Sequence, residues 1–82
     1  MKDSMNNRIT VADMNVGSTG NVVEVVGGSG IAEKLETMGV RVGSRIKKIS
    51  QHFNRGPVII SCGNTQIAFG YGMAKKIIVE IK

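Results

Sequence analysis

Apolar residues in this chain alternate with polar ones over short stretches, and glycine breaks the alternation every few positions. From Gly20 the run Asn21-Val22-Val23-Glu24-Val25-Val26 is rich in β-branched residues and closes on Gly27-Gly28-Ser29-Gly30, which predicts a first strand followed by a flexible connection. Ser29 is the expected N-cap of a short helix, because Ile31, Leu35 and Met38 recur at i, i+4 and i+7 as one apolar face. Gly39 stops that helix. With Gly39 in the left-handed conformation, Val40 falls where a Schellman cap brings it against Leu35.

Residues 45–50 make the second expected strand. Ile46 and Ile49 have opposite parity there, so a bulge or an edge position is predicted. Asn54, Arg55, Gly56 and Pro57 have loop chemistry, after which Val58, Ile60 and Cys62 alternate with Ile59 and Ser61 as a third strand. Gly63-Asn64 is a two-residue hairpin signal, and Ile67 and Phe69 alternate with Gln66 and Ala68 on the returning strand. Gly70-Tyr71-Gly72 interrupts it, residues 73–76 suit a single helical turn, and Ile77, Val79 and Ile81 finish a fifth strand.

Near the start, Thr10 and Asp13 have capping-box spacing, which predicts one helical turn over 11–14 before Gly17, acting as a lid where the chain enters the core. Residues 1–8 read as a flexible polar tail, and 9–82 as one domain. The pattern describes a mostly-β chain: a small, partly closed β-barrel of about five strands, with one short α-helix between strands 1 and 2. Short helical turns lie near the N-terminus and before the last strand. Closure is expected because it removes exposed edges.

Composition narrows the function. The 82 residues, 41% of them hydrophobic with eleven glycines and one proline, suit one small ordered domain. A net charge of +5 favours acidic partners. Cys62 is the single cysteine, so an intramolecular disulfide is impossible and a reducing, cytoplasmic setting is expected. Its place among Val58 and Ile60 reads as a small core hydrophobe. No apolar run suits a signal-peptide core or a bilayer span, so contact with a membrane is expected only through a partner.

Catalytic chemistry is not indicated. His52 is the only histidine and has no acidic neighbour, so it reads as a loop residue and the chain is not expected to be an enzyme. His52, Cys62 and scattered carboxylates form no metal-ligand pattern, and no cofactor is expected. The Gly27-Gly28-Ser29-Gly30 stretch lacks the Gly-Lys-Ser/Thr ending of a nucleotide loop. Arg45, Lys47 and Lys48 with Arg55, and separately Lys75 and Lys76, read as solvated basic surfaces. With only Phe53, Phe69 and Tyr71 for stacking, nucleic-acid binding is not expected. Phe53, Arg55 and Tyr71, at strand junctions, are the expected docking anchors for a protein partner. Oligomeric state stays open, with residues 45–50 as an edge available for pairing between copies.

Leu35-Glu36-Thr37-Met38-Gly39-Val40 followed by Gly43, then Gly56-Pro57-Val58, Gly63-Asn64-Thr65-Gln66-Ile67-Ala68, and finally Ala74 with residues 77–79, resemble the FeoA family in order and spacing. The resemblance runs from Ile9 to Ile81. It implies an SH3-like barrel and a role as an accessory of bacterial ferrous iron uptake, binding the cytoplasmic side of FeoB, the membrane transporter that carries a GTPase domain. It also implies that Leu35, Gly39, Gly43, Gly56, Pro57, Ala68 and Ala74 define the fold rather than bind a ligand. The family often has arginine after the Ile-Ala pair, where this chain has Phe69-Gly70. Alternatives to simple docking are regulation of the partner's GTP hydrolysis, with an arginine such as Arg55 offered in trans, or a basic nucleic-acid-binding or repressor-associated module of the same fold.

Overall fold

The computed structural model describes residues 7–52 and 56–81. Six strands, β1 (Arg8–Thr10), β2 (Thr19–Val25), β3 (Arg45–Gln51), β4 (Val58–Cys62), β5 (Thr65–Phe69) and β6 (Ile77–Ile81), form one antiparallel sheet in the order β1-β6-β2-β3-β4-β5. A 3-10 turn, Val11–Asp13, follows β1, the helix α1 (Ser29–Thr37) joins β2 to β3, and the single turn α2 (Tyr71–Ala74) precedes β6. The mostly-β class is the one the residue pattern predicts. There are six strands rather than five because Arg8, grouped with the tail by its polarity, opens a three-residue strand that pairs Arg8 with Glu80 and Ile9 with Val79. So short a strand carries almost no periodicity of its own. The sheet coils but does not close, since β1 and β5 are its two ends.

Local chemistry explains most boundaries. Gly39 (φ 99) lets its N–H donate to Glu36 O at 2.9 Å and the Val40 N–H donate to Leu35 O at 2.9 Å, which is the double bond of a Schellman cap. Leu35 and Val40 are both fully buried, as that cap requires. The start of α1 differs from expectation: Gly28 holds the N-cap position with no side-chain hydrogen bond, and Ser29 is the first helical residue. Two consecutive glycines at positive φ, Gly27 and Gly28, turn the chain there without help from the serine. At the 3-10 turn, Thr10 Oγ1 accepts from the Asp13 N–H at 3.2 Å, half of the predicted capping box. The α2 turn begins at Tyr71, two residues ahead of the expected turn, with Gly70 extended before it.

Strand β3 is not an edge. It lies between β2 and β4, and the expected bulge falls between Lys48 and Ser50. Among the described residues, the strands at the two ends of the sheet are β1 and β5. On the other flank, β2 meets β6 so closely at Gly20 that a Cβ would sit 2.8 Å from Glu80 O, so only glycine fits. The core gathers Val11 and Met14 from the 3-10 turn region, Val22, Leu35, Val40, Ile46, Val58, Ile60, Phe69, Ala74, Ile77 and Val79. Every inward position of the alternation in β4, β5 and β6 named from the sequence contributes to this core or packs on it.

Candidate functional site

Where α1 leaves β2 and returns through residues 40–43 to β3, the chain encloses a groove rather than a packed interface. Val25 supplies its floor from β2, Ala32 and Glu36 one wall from α1, and Arg41 and Val42 the other from the turn; its volume is about 240 Å³. The turn wall is held in place. Gly43 N–H donates to Val22 O at 2.8 Å, Val22 N–H donates to Ser44 O at 2.8 Å, and Arg41 N–H donates to Ser44 Oγ at 3.0 Å. Val42 stays 60% exposed and Val26, next to Val25, 46% exposed. An apolar surface of this kind, flanked by the carboxylate of Glu36 and the guanidinium of Arg41, suits protein contact. Its volume is below the roughly 300–1,000 Å³ of pockets that enclose organic ligands. It fits one or two apolar side chains.

The sequence pointed elsewhere for anchors. Phe53 and Arg55 lie outside the described residues. Tyr71 opens α2, is half-buried against the core, carries the Lys75 ammonium 5.7 Å from its ring centroid, and does not line the groove. Of the groove residues, Val42 carried a signal in the sequence, an aliphatic side chain between Arg41 and Gly43 where the chain must turn. Val25, Ala32 and Glu36 fitted their elements too well to stand out. The motif residues fall as frame: Leu35 and Ala74 are fully buried, Gly39 and Gly43 occupy positive φ, Ala68 is exposed on β5, and Gly56 is half-buried beside the exposed Pro57, whose carbonyl accepts from the His52 N–H at 3.2 Å.

The basic surface needs correction. Arg45 and Lys47 are exposed on β3, as are Lys75 and Lys76, but Lys48 points inward with the parity of Ile46 and is 0% exposed. Its Nζ donates to the carbonyl oxygens of Val11 at 3.0 Å, Ala12 at 3.0 Å and Met14 at 2.8 Å, and to Gln51 Oε1. Burial pushes its pKa down from the usual 10.5, and the Asp13 carboxylate works in the opposite direction. A lysine read by type goes to solvent; one that satisfies the carbonyls of a buried turn does not. Among the other candidates, His52 is exposed, and Cys62 is half-buried with its Sγ 3.6 Å from Gly39 O. Among the described residues no three His, Cys, Asp or Glu side chains converge as a metal site. No described helix is long and apolar enough to cross a membrane.

Comparison with known proteins decides the family. The FeoA domain family matches residues 9–81, nearly the whole chain. The chain belongs to the FeoA family. Fe(2+) transport protein A of Methanocaldococcus jannaschii is 42% identical over 59 residues, covering 72% of this chain and 70% of the relative. The crystal structure of an iron uptake regulatory protein (FeoA) superimposes with a TM-score of 0.84 at 33% identity, over 92% of this chain and 99% of that one. A manganese-dependent transcriptional repressor shares the fold alone, with a TM-score of 0.83 at 16% identity, over 92% of this chain and 42% of that one. The SH3-like, mostly-β frame and the ferrous iron transport family expected from the motif are thus those of a FeoA protein, and the family is one of transport accessories.

Proposed function

We propose that this FeoA protein is a cytoplasmic accessory of ferrous iron uptake that docks on the cytoplasmic side of a FeoB-type membrane GTPase transporter. The observation that carries the reading is the apolar groove between α1 and the 40–43 turn, with Val42 on its wall and Val26 beside it left to solvent, two of the three large aliphatics exposed among the described residues, the third being Val16. A net charge of +5 adds long-range attraction to an acidic partner surface. Phe53, Arg55 and Tyr71 belong to the same proposal as a second set of anchors.

Titration calorimetry against the transporter's cytoplasmic domain tests it. Val42→Asp places an unpaired charge in the contact and is expected to weaken binding at least tenfold, and Phe53→Ala and Tyr71→Ala each to weaken it less. Undiminished binding by Val42→Asp removes the groove from the interface, and no binding by the unaltered protein removes the partner.

A further inference from the structure

Among the described residues, Lys48 is the charged side chain that the fold encloses completely. Its ammonium is held without a carboxylate: three main-chain carbonyl oxygens, of Val11, Ala12 and Met14, lie 2.8–3.0 Å from Nζ, and Gln51 Oε1 completes the set. Asp13, whose charge is felt at Lys48, is exposed. An ammonium carries three protons, so four neutral oxygens share one positive centre. Rings of carbonyl oxygens around a single charge are how proteins replace the hydration shell of a monovalent cation.

We propose that the carbonyls of Val11, Ala12 and Met14 together with the Gln51 amide form a binding site for a primary ammonium ion, which the intact chain fills with its own lysine. The oxygens converge for reasons independent of that lysine. The 3-10 turn is closed by the Asp13 N–H to Thr10 Oγ1 bond at 3.2 Å and the Met14 N–H to Thr10 O bond at 3.1 Å, and it is pinned by burial of Val11 and Met14. Gln51 is fixed by pairing of β3 with Val58 of β4. Removing the ammonium therefore leaves desolvated acceptors in place, and an ion that satisfies them regains the lost hydrogen bonds. Neutral oxygens with no imidazole, thiolate or carboxylate among them favour a monovalent ammonium over a transition-metal dication. Ferrous ion is not a ligand for this site.

Truncation defines the ligand. Lys48→Ala deletes Cγ, Cδ, Cε and Nζ, the heavy atoms of n-propylammonium. Thermal unfolding of this variant in n-propylammonium chloride is expected to show a midpoint raised by about 4–8 °C once the amine exceeds its dissociation constant severalfold. Tetramethylammonium chloride at equal ionic strength and the neutral isostere n-propanol are expected to leave it unmoved, and the wild-type chain to respond to none. Equal responses to all three additives, or the same response in wild type, overturn the site. If Lys48→Ala is unfolded in plain buffer, refolding by n-propylammonium but not n-propanol supports it, and failure to refold overturns it. A second measurement uses the intact chain: nitrogen-15 NMR should find the Lys48 ammonium exchanging slowly with water and coupled across hydrogen bonds to the carbonyl carbons of Val11, Ala12 and Met14. An ammonium exchanging as fast as exposed lysines overturns the proposal.

Discussion

Two parts of the molecule are held in opposite ways. Around α1, the capping contacts lie close in sequence: the Schellman bonds join Gly39 and Val40 to Glu36 and Leu35, and the Arg41 N–H is tied to Ser44, while main-chain bonds to Val22 anchor the turn to β2. At the other end, the 3-10 turn Val11–Asp13 is fastened by a side chain 34 to 37 residues away, that of Lys48. The first region stands on apolar burial and backbone geometry. The second stands on a charge taken out of water, whose worth depends on every oxygen around it. The difference teaches that a small domain can afford one enclosed ammonium where the backbone itself supplies the counter-dipoles.

The largest effect should come from breaking the polar side of this contrast. Lys48→Met keeps the volume and removes the donor, leaving buried carbonyls unpaired, and urea unfolding should show a loss of about 3–5 kcal/mol. A loss below that of a surface lysine substitution would show that water reaches the carbonyls. Leu35→Ala, the matching cut on the apolar side, should cost about 2–5 kcal/mol in the same assay. Gly39→Ala meets no atom within 4 Å, so its cost is backbone strain alone, about 1–2 kcal/mol. Val42→Asp, on the exposed wall of the groove, should change stability by no more than about 0.5 kcal/mol while weakening the proposed partner binding at least tenfold.

The pH dependence sharpens the comparison further. Because burial lowers the folded-state pKa of Lys48 below 10.5, the unfolded chain holds its proton to higher pH than the folded one. Stability of the wild-type chain relative to Lys48→Met should then rise as pH climbs through the lowered value and level off near 10.5. Denaturant midpoints of both proteins from pH 7 upward measure this. A gap that narrows instead would mean that the carbonyls outweigh desolvation.

What could be read from the sequence follows the same division. The Gly63-Asn64 hairpin, the alternation of β4 and β5 and the Leu35–Val40 cap are local, and period and turn chemistry reveal them without knowledge of neighbours. The bulge in β3 was visible in the parity of Ile46 and Ile49, but its cause was not, because the inward residue beside it is a lysine. Residue type outvoted position there. β3 reads as an edge for a related reason, since Arg45, Lys47 and Lys48 make it look solvated while its place between β2 and β4 is fixed by strands far away in the chain. The groove has no signature in the sequence, because a concavity is made by what is absent between Ala32 and Val42, and no periodicity records that.

The pairing of Arg8 with Glu80 has a consequence for how this fold travels among proteins. Because the opening and closing strands lie side by side, the domain can be spliced into a longer polypeptide through a single doorway, with both connections leaving from one place and the groove untouched. Joining those strands by a short linker and cutting at the Gly63-Asn64 tip should yield a permuted chain with the same sheet order.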